Sequence, residues 1–251
     1  MTAPIRSVEV MPVAVASTNW DQSTVVVRLT DENGLTGIGE ADGPPEVMGA
    51  YFRQETAHGW SRNFEEMLVG RDPVEIQALW DTLYTGSIWP GARGLGLFAI
   101  SAVDMALYDL AGKQLGIPAY KLLGGARRER LTPYMTLYPT SGEGAPLSRH
   151  LSEYAALMEK CRGWGVKAVK MSISTTASDR ELTRFIKDAR KELGEDMELA
   201  IDFLYRWKDP YAALKVLRNL EDCDLYFAEA VLQHDQIAAH RLLSDKTATR
   251  I

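Results

Sequence analysis

The first 40 residues alternate between apolar and polar side chains, as strands do when one face of a sheet is buried. A first run at 8–13 leads into a second at 24–29, and a third follows at 35–40. The tetrapeptide DENG (31–34) separates the last two runs, and its Asn and Gly tolerate the positive φ that hairpin turns need. The pattern therefore predicts a three-stranded antiparallel meander.

From about residue 46 to residue 115 the apolar positions repeat with a helical period. The pair Asp72 and Pro73 is typical of a helix start. Two apolar stripes follow: Ile76, Leu79, Trp80 and Leu83 in the first, and Ile100, Val103, Leu107 and Leu110 in the second. The second helix is expected to end near Gly112–Gly116, because Gly favours helix ends and Pro118 cannot continue a helix.

After residue 130 short apolar runs alternate with amphipathic segments. The strand candidates are 131–138, 166–172, 198–202 and 225–229, and the helix candidates are 148–162, 178–192, 209–220 and 235–244. Four βα units in a row imply parallel strands joined by right-handed crossovers. This half of the chain is therefore predicted to form a parallel α/β structure.

Composition narrows the class of protein. The chain has 251 residues, 46% hydrophobic and 25% charged, and a net charge of −6, which argues against a nucleic-acid partner. No apolar run reaches the roughly 18 residues of a membrane span, and the N-terminus lacks the pattern of a signal peptide. Cys161 and Cys223 lie outside any CxxC motif, as is typical of reduced, packed thiols. We expect a cytoplasmic protein with no membrane partner.

Charged residues stand where the predicted parallel strands end. Lys170 and Ser172 end the second of these strands, Asp202 ends the third and Glu229 ends the fourth. Active sites in parallel α/β structures lie at the carboxyl ends of the strands. These side chains are therefore expected to lie close together at that end of the sheet. Two carboxylates could supply oxygen ligands to Mg²⁺. The alternatives are solvated rim residues, or a structural ion pair of Lys170 with one of the two carboxylates.

Several segments resemble a known family. "GLGLFAISAVDMALYDLAGKQLGIPAYKLLGG" (94–125) resembles the cap-to-barrel segment of the enolase superfamily, mandelate racemase/muconate lactonizing enzyme type. "LTDENGLTGIGEA" (29–41) is similar to the hairpin of its capping domain, and "GVKAVKMSIS", "LAIDF" and "YFAEAVLQHD" fall where its second to fourth barrel strands should be. The resemblance implies an α+β capping domain at 1–128, a three-stranded meander plus helices. It implies a partial TIM-type (β/α) barrel of about four βα units at 129–251.

The resemblance also implies a mechanism. In this family Mg²⁺ binds a substrate carboxylate, a base removes the proton α to it, and the metal stabilises the enediolate. Asp202 and Glu229 would then be metal ligands, and Lys170, the first lysine of a K-x-K element, would hold the carboxylate of a small-molecule substrate. Asn19, Trp20 and Tyr205 would contact the substrate, and the protein is expected to form a homo-oligomer.

Two positions depart from the family pattern. The second lysine of K-x-K is Ser172 here, and a serine without an activating partner is a poor base. Either the base comes from another strand or Ser172 hydrogen-bonds the substrate, which favours a one-base elimination over a two-base racemisation. The fourth strand of the family commonly ends in two adjacent acids, of which the first is the ligand. An ungapped match puts Ala228 first and Glu229 second.

The expected activity is dehydration of a sugar acid or a related hydroxy acid. The alternatives are an epimerase, racemase or cycloisomerase of the same superfamily, or a non-catalytic fragment or pseudoenzyme. A complete barrel needs about 250 residues, and only about half that length follows the predicted cap. By the resemblance, the third metal ligand and the distal acid/base residues would follow Ile251, so we expect the 251-residue chain alone to be inactive.

Overall fold

The computed structural model describes residues 2–15 and 22–251, which divide into two compact units, Met1–Glu129 and Arg130–Ile251. The strands are β1 (Ile5–Val15), β2 (Gln22–Asp31), β3 (Thr36–Asp42), β4 (Met135–Leu137), β5 (Ala168–Ser172), β6 (Glu198–Asp202) and β7 (Leu225–Glu229). The helices are α1 (Pro45–Phe52), α2 (Phe64–Leu68), α3 (Ile76–Gly86), α4 (Ile88–Gly91), α5 (Leu95–Leu115), α6 (Ala119–Leu122), α7 (Leu147–Gly163), α8 (Asp179–Leu193), α9 (Pro210–Asn219) and α10 (Ile237–Lys246).

The first unit contains the predicted meander. Its three strands pair antiparallel in the order β1-β2-β3. The turn between β2 and β3 is held by the Asp31 side chain, whose Oδ1 accepts hydrogen bonds from the backbone N–H of Asn33 (2.9 Å) and Leu35 (2.8 Å). Gly34 takes a φ of 85°, a conformation that a glycine adopts without steric cost.

The long helix α5 lies against β3 at two glycines. A Cβ added to Gly39 would lie 1.9 Å from the carbonyl oxygen of Ala102, and one added to Gly37 would lie 2.2 Å from that of Ala106. The absence of these side chains therefore lets the backbone of β3 approach the helix closely. The apolar stripe of α5, including Ile100 and Leu107, fills the core beside this contact.

Helix α5 is the one helix in the described residues that is long and apolar enough, by length and composition, to cross a membrane. The sequence pattern predicts no span, because no apolar run reaches about 18 residues. In the structure 56% of the apolar window is buried inside the protein. We interpret α5 as the central core helix of its unit, a kind of helix that passes the same length and composition test.

The second unit is a parallel four-stranded sheet in the order β4-β5-β6-β7, with α7, α8 and α9 as the connections between successive strands. Helix α8 begins at a capping box between Ser178 and Glu181 and buries one apolar face. The predicted fold class, an α+β unit followed by parallel βα units, is therefore confirmed. The first strand of this sheet is shorter than the predicted 131–138, because Pro133 has no N–H to donate to a ladder. Cys161 and Cys223 are both free and buried.

Candidate active site

Three neighbouring strands end in side chains that share one face of the parallel sheet. Ser172 on β5 pairs in register with Asp202 on β6, which in turn pairs with Glu229 on β7. Neighbouring strands lie about 4.8 Å apart, and residues in register on parallel strands face the same side. Lys170 lies two residues before Ser172 and so faces that side too.

A β-bulge in β7 brings Glu229 to this position. Leu199 pairs with Leu225, but Ile201 pairs with Ala228, so β7 contains one residue more than β6 over this stretch. Ala228 consequently faces the hydrophobic core beside Ile201 and is buried there. In an ungapped match to the family pattern, Glu229 falls one residue after the position of the metal ligand. In the structure it lies directly beside Asp202.

Lys170 forms an ion pair with Glu229 across the intervening strand. Its Nζ lies 2.5 Å from Glu229 Oε2, and the two side chains are 10% and 43% exposed. The residue in register with Lys170 on β6 is Ala200, whose methyl group leaves room for the lysine to cross. The Tyr134 ring centroid lies 5.7 Å from Nζ, so a cation–π contact completes the surroundings of the ammonium.

These contacts keep Lys170 protonated. Burial lowers the pKa of the Lys170 ammonium, but the hydrogen bond to Glu229 and the charge of that carboxylate raise it by more. The pKa of Lys170 therefore lies above its usual value. At neutral pH the lysine is a cation that can bind an anionic group.

The Asp202 carboxylate has one hydrogen-bond donor on each oxygen. Ser172 Oγ donates to Oδ2 at 3.3 Å, and the backbone N–H of Leu204 donates to Oδ1 at 3.0 Å. The carbonyl of Ser172 accepts a hydrogen bond from the Tyr154 hydroxyl at 2.5 Å. Burial raises the pKa of Tyr154, so this phenol remains a donor at neutral pH.

The donor set of these strand ends fits part of a magnesium site. Carboxylate oxygens are the ligands that Mg²⁺ prefers, and Mg²⁺ is commonly held by one or two carboxylates together with waters and substrate oxygens. Asp202 and Glu229 would supply two ligands, since a carboxylate oxygen that accepts one hydrogen bond keeps a further lone pair. Within 2–15 and 22–251, no group of three or more His, Cys, Asp or Glu residues is arranged to hold a metal ion.

Two family models match the chain. The N-terminal domain of mandelate racemase/muconate lactonizing enzyme matches residues 1–124, and the enolase C-terminal domain-like model matches residues 153–251. The chain belongs to the mandelate racemase/muconate lactonizing enzyme family. The two matched segments correspond to the meander-containing unit and to most of the parallel sheet unit.

The curated relatives of the chain include a dehydratase family member, and the chain spans only part of their length. A D-galactonate dehydratase family member from Pseudarthrobacter chlorophenolicus is 31% identical, over 92% of this chain and 62% of that protein. The chain spans between 55% and 62% of the length of such curated relatives.

Solved structures agree with the fold. A crystal structure of a protein provisionally assigned as a racemase is 46% identical with a TM-score of 0.94, over 100% of this chain and 65% of that one. A racemase from Streptomyces coelicolor A3(2) with bound magnesium is 22% identical with a TM-score of 0.82. That alignment covers 98% of this chain and 68% of the racemase, and at this identity it shows the shared fold alone.

Of the other predicted substrate contacts, one lies in the loop after β6 and two lie outside the described residues. Tyr205 is exposed in the loop after β6, where its backbone N–H donates to the carbonyl of Ala230 and its ring packs edge-on against His234. Asn19 and Trp20 lie outside the described residues. Their predicted substrate contacts therefore stay predictions.

Sequence reasoning missed two tyrosines and a cleft at these strand ends. Tyr134 and Tyr154 resemble ordinary apolar positions of a strand and a helix, and no pattern in the sequence marks their contacts with Lys170 and Ser172. The cleft has a volume of about 380 Å³ and is lined by the loops after β5 and β6. Arg206 ties the two loops together by donating to Asp179 Oδ1 and to two carbonyls of the first loop, so it is not free for an anionic ligand.

Proposed function

We propose that the protein removes the proton α to a carboxylate in a Mg²⁺-dependent reaction, and that it dehydrates a sugar acid or a related hydroxy acid. The observation that carries this proposal is the side-by-side position of Asp202 and Glu229, with the Lys170 ammonium on the same face. Membership of the family supports the reaction class, and the dehydratase relative supports the substrate class.

Lys170 binds the substrate carboxylate. An ammonium has three donors, and only one is needed for Glu229, so the lysine can hold both anions. Its raised pKa ensures that it is charged when substrate arrives. Its low exposure strengthens the attraction, because charges interact more strongly where water is excluded.

Asp202 and Glu229 hold the metal ion. When bound, Mg²⁺ supplies positive charge that stabilises the negative charge developing on the substrate carboxylate. A related racemase structure contains magnesium, which supports this choice of ion. The hydrogen bonds from Ser172 and Leu204 hold the Asp202 carboxylate toward the same face.

Dehydration is favoured over racemisation by the residues around the carboxylates. A racemase needs a group that can accept or donate a proton on each side of the substrate carbon. Position 172, where the resemblance places a basic lysine, carries a hydroxyl that already donates to Asp202. Elimination of a β-hydroxyl needs one base, because the same group can take the proton from the α-carbon and deliver it to the departing hydroxyl, which leaves as water.

Isomerisation is the second candidate, because the 46% identical structure is provisionally assigned as a racemase. The two activities differ in product. A dehydratase converts a hydroxy acid into a 2-keto-3-deoxy acid. A racemase returns the acid with inverted configuration at the α-carbon and with its α-proton exchanged for a solvent deuteron.

The test uses the full-length protein with Mg²⁺ and a panel of sugar acids in D₂O, followed by proton NMR. We expect keto-acid formation, and a rate at least about a hundredfold lower for Asp202→Asn, because loss of a ligand charge removes about 3 kcal/mol of stabilisation. Asp245→Asn, an exposed change on α10, is the matched control and should keep the parent rate. Exchange of the α-proton without a keto acid would favour isomerisation. Parent activity in Asp202→Asn would contradict the proposal.

A further inference from the structure

Strand β5 supplies one hydrogen-bond donor to each of the two carboxylates. Lys170 donates to Glu229, and Ser172 donates to Asp202. Ser172 is buried, and its side chain lies in register with that of Asp202. A serine hydroxyl has a single proton to donate, and Asp202 Oδ2, at 3.3 Å, is the acceptor on the same face.

The backbone around this pair is fixed at several points. The Tyr154 hydroxyl donates to the carbonyl of Ser172, and the N–H of Ile173 donates to the carbonyl of Asp202 at 2.9 Å. Leu204 directs its N–H to Asp202 Oδ1 from a left-handed conformation with a φ of 52°. Such a conformation costs a non-glycine residue about 1–2 kcal/mol, so the loop retains it against a local penalty.

We propose that Ser172 is a positioning residue, whose hydroxyl holds the Asp202 carboxylate in the orientation that a divalent cation requires. This inference rests on the proposed function. Two donors, one on each oxygen, prevent the carboxylate from rotating and leave one lone pair of each oxygen for the cation. Serine thus takes a supporting role where the resemblance places a basic lysine.

The experiment measures the affinity of the full-length protein for Mn²⁺ alone, by following free Mn²⁺ with electron paramagnetic resonance. We expect Ser172→Ala to weaken binding roughly tenfold, since loss of a hydrogen-bond partner of a metal ligand typically costs 10–100-fold in metal affinity. Ser172→Thr keeps the hydroxyl and suits a strand, so its affinity should stay near that of the parent. Ser148→Ala, at an exposed position on α7, is the matched control.

A double-mutant cycle separates positioning from a general effect on folding. In the Asp202→Asn background, Ser172→Ala should cause no further loss of Mn²⁺ affinity, because its partner is already changed. An additional tenfold loss there would overturn the inference, and so would parent affinity in Ser172→Ala or an equal loss in Ser148→Ala. Should Ser172→Ala fail to fold, Ser172→Cys, which has a similar shape and a weak donor, is expected to show the same loss.

The outcomes also separate this inference from the proposed function. If Asp202→Asn weakens Mn²⁺ binding measurably and Ser172→Ala leaves it unchanged, only the positioning role fails. If Mn²⁺ binding is unaffected by Asp202→Asn, or is absent from the parent protein, the proposed metal site fails and the inference fails with it.

Discussion

At the scale of single residues, Lys170 shows how the sheet accommodates a buried charge. Burying an ammonium without partners costs several kcal/mol. The Glu229 carboxylate at 2.5 Å and the Tyr134 ring at 5.7 Å replace the lost water. Because Glu229 is 43% exposed, only one of the two charges is withdrawn from solvent, and the pair is less costly than a fully buried one.

Another residue, Glu153 on α7, predicts a dependence of stability on pH. The backbone N–H and the hydroxyl of Ser141 donate to Glu153 Oε2, each at 3.0 Å, and Arg149 donates to Oε1. The Ser141 backbone bond leads the causes that lower the pKa of Glu153 from 4.5 to about 2. The pKa of Glu153 is lower in the folded state, so the ionised carboxylate stabilises the fold. This stabilisation is fully present above about pH 4.5 and is lost as the pH falls toward 2.

We therefore expect Glu153→Gln to reduce the decline in the free energy of unfolding between pH 4.5 and pH 2. Ser141→Ala should reduce it only partly, because the backbone donor remains. Urea titrations at a series of pH values measure this difference. If the free energy of unfolding falls by the same amount in the parent and in Glu153→Gln between pH 4.5 and pH 2, Glu153 is not the source of this pH dependence.

The sequence was sufficient to predict which residues stand at the strand ends, but not which of them form hydrogen bonds or ion pairs with one another. Their positions at strand ends follow from the apolar runs that precede them. The partner of Lys170 could not be chosen from sequence, because Asp202 and Glu229 are both acids at strand ends. The choice depends on Ala200, whose small side chain lets the lysine cross β6 and reach Glu229.

At the scale of secondary-structure elements, the close contact between β3 and α5 depends on glycine. A methyl group at Gly39 would overlap the carbonyl oxygen of Ala102, and this oxygen belongs to a helix backbone that cannot rotate aside. The strand or the helix would have to move. That movement would disturb the core packed beneath Ile100 and Leu107.

Gly39→Ala should therefore lower the free energy of unfolding by about 2 kcal/mol or more, as overpacking of a tight contact does. The reduced entropy of the unfolded chain would offset only about 0.4–1 kcal/mol of this loss. Gly59→Ala is the matched control, since no atom lies within 4 Å of the added Cβ. A urea unfolding curve for Gly39→Ala that overlies that of Gly59→Ala would show that the contact is looser than described.

The bulge in β7 is the element that sequence reasoning could not find. The sequence "LYFAE" (225–229) is typical of an ordinary strand, and no residue in it indicates a bulge. The extra residue shows itself only in the pairing with β6, where it turns Ala228 to the core and Glu229 to the carboxylate face. Glu229, which the sequence analysis kept as the candidate metal ligand, is the residue that lies beside Asp202.

At the scale of the whole molecule, the chain folds as two units with separate hydrophobic cores. The periodicity of the sequence was sufficient to predict the meander and the parallel βα units, because their strands and longer helices keep one apolar face. The substrate was not predictable, since one fold supports many reactions and the choice among them lies in local contacts. The roles of Asn19, Trp20 and Tyr205, and the homo-oligomer, stay predictions.

The most direct test of the central claim is anomalous diffraction from crystals of the full-length protein soaked with Mn²⁺. We predict a strong manganese peak about 2.1 Å from one carboxylate oxygen of Asp202 and one of Glu229, with Lys170 on the same face. A manganese ion bound elsewhere, with Asp202 and Glu229 free of metal, would contradict the account.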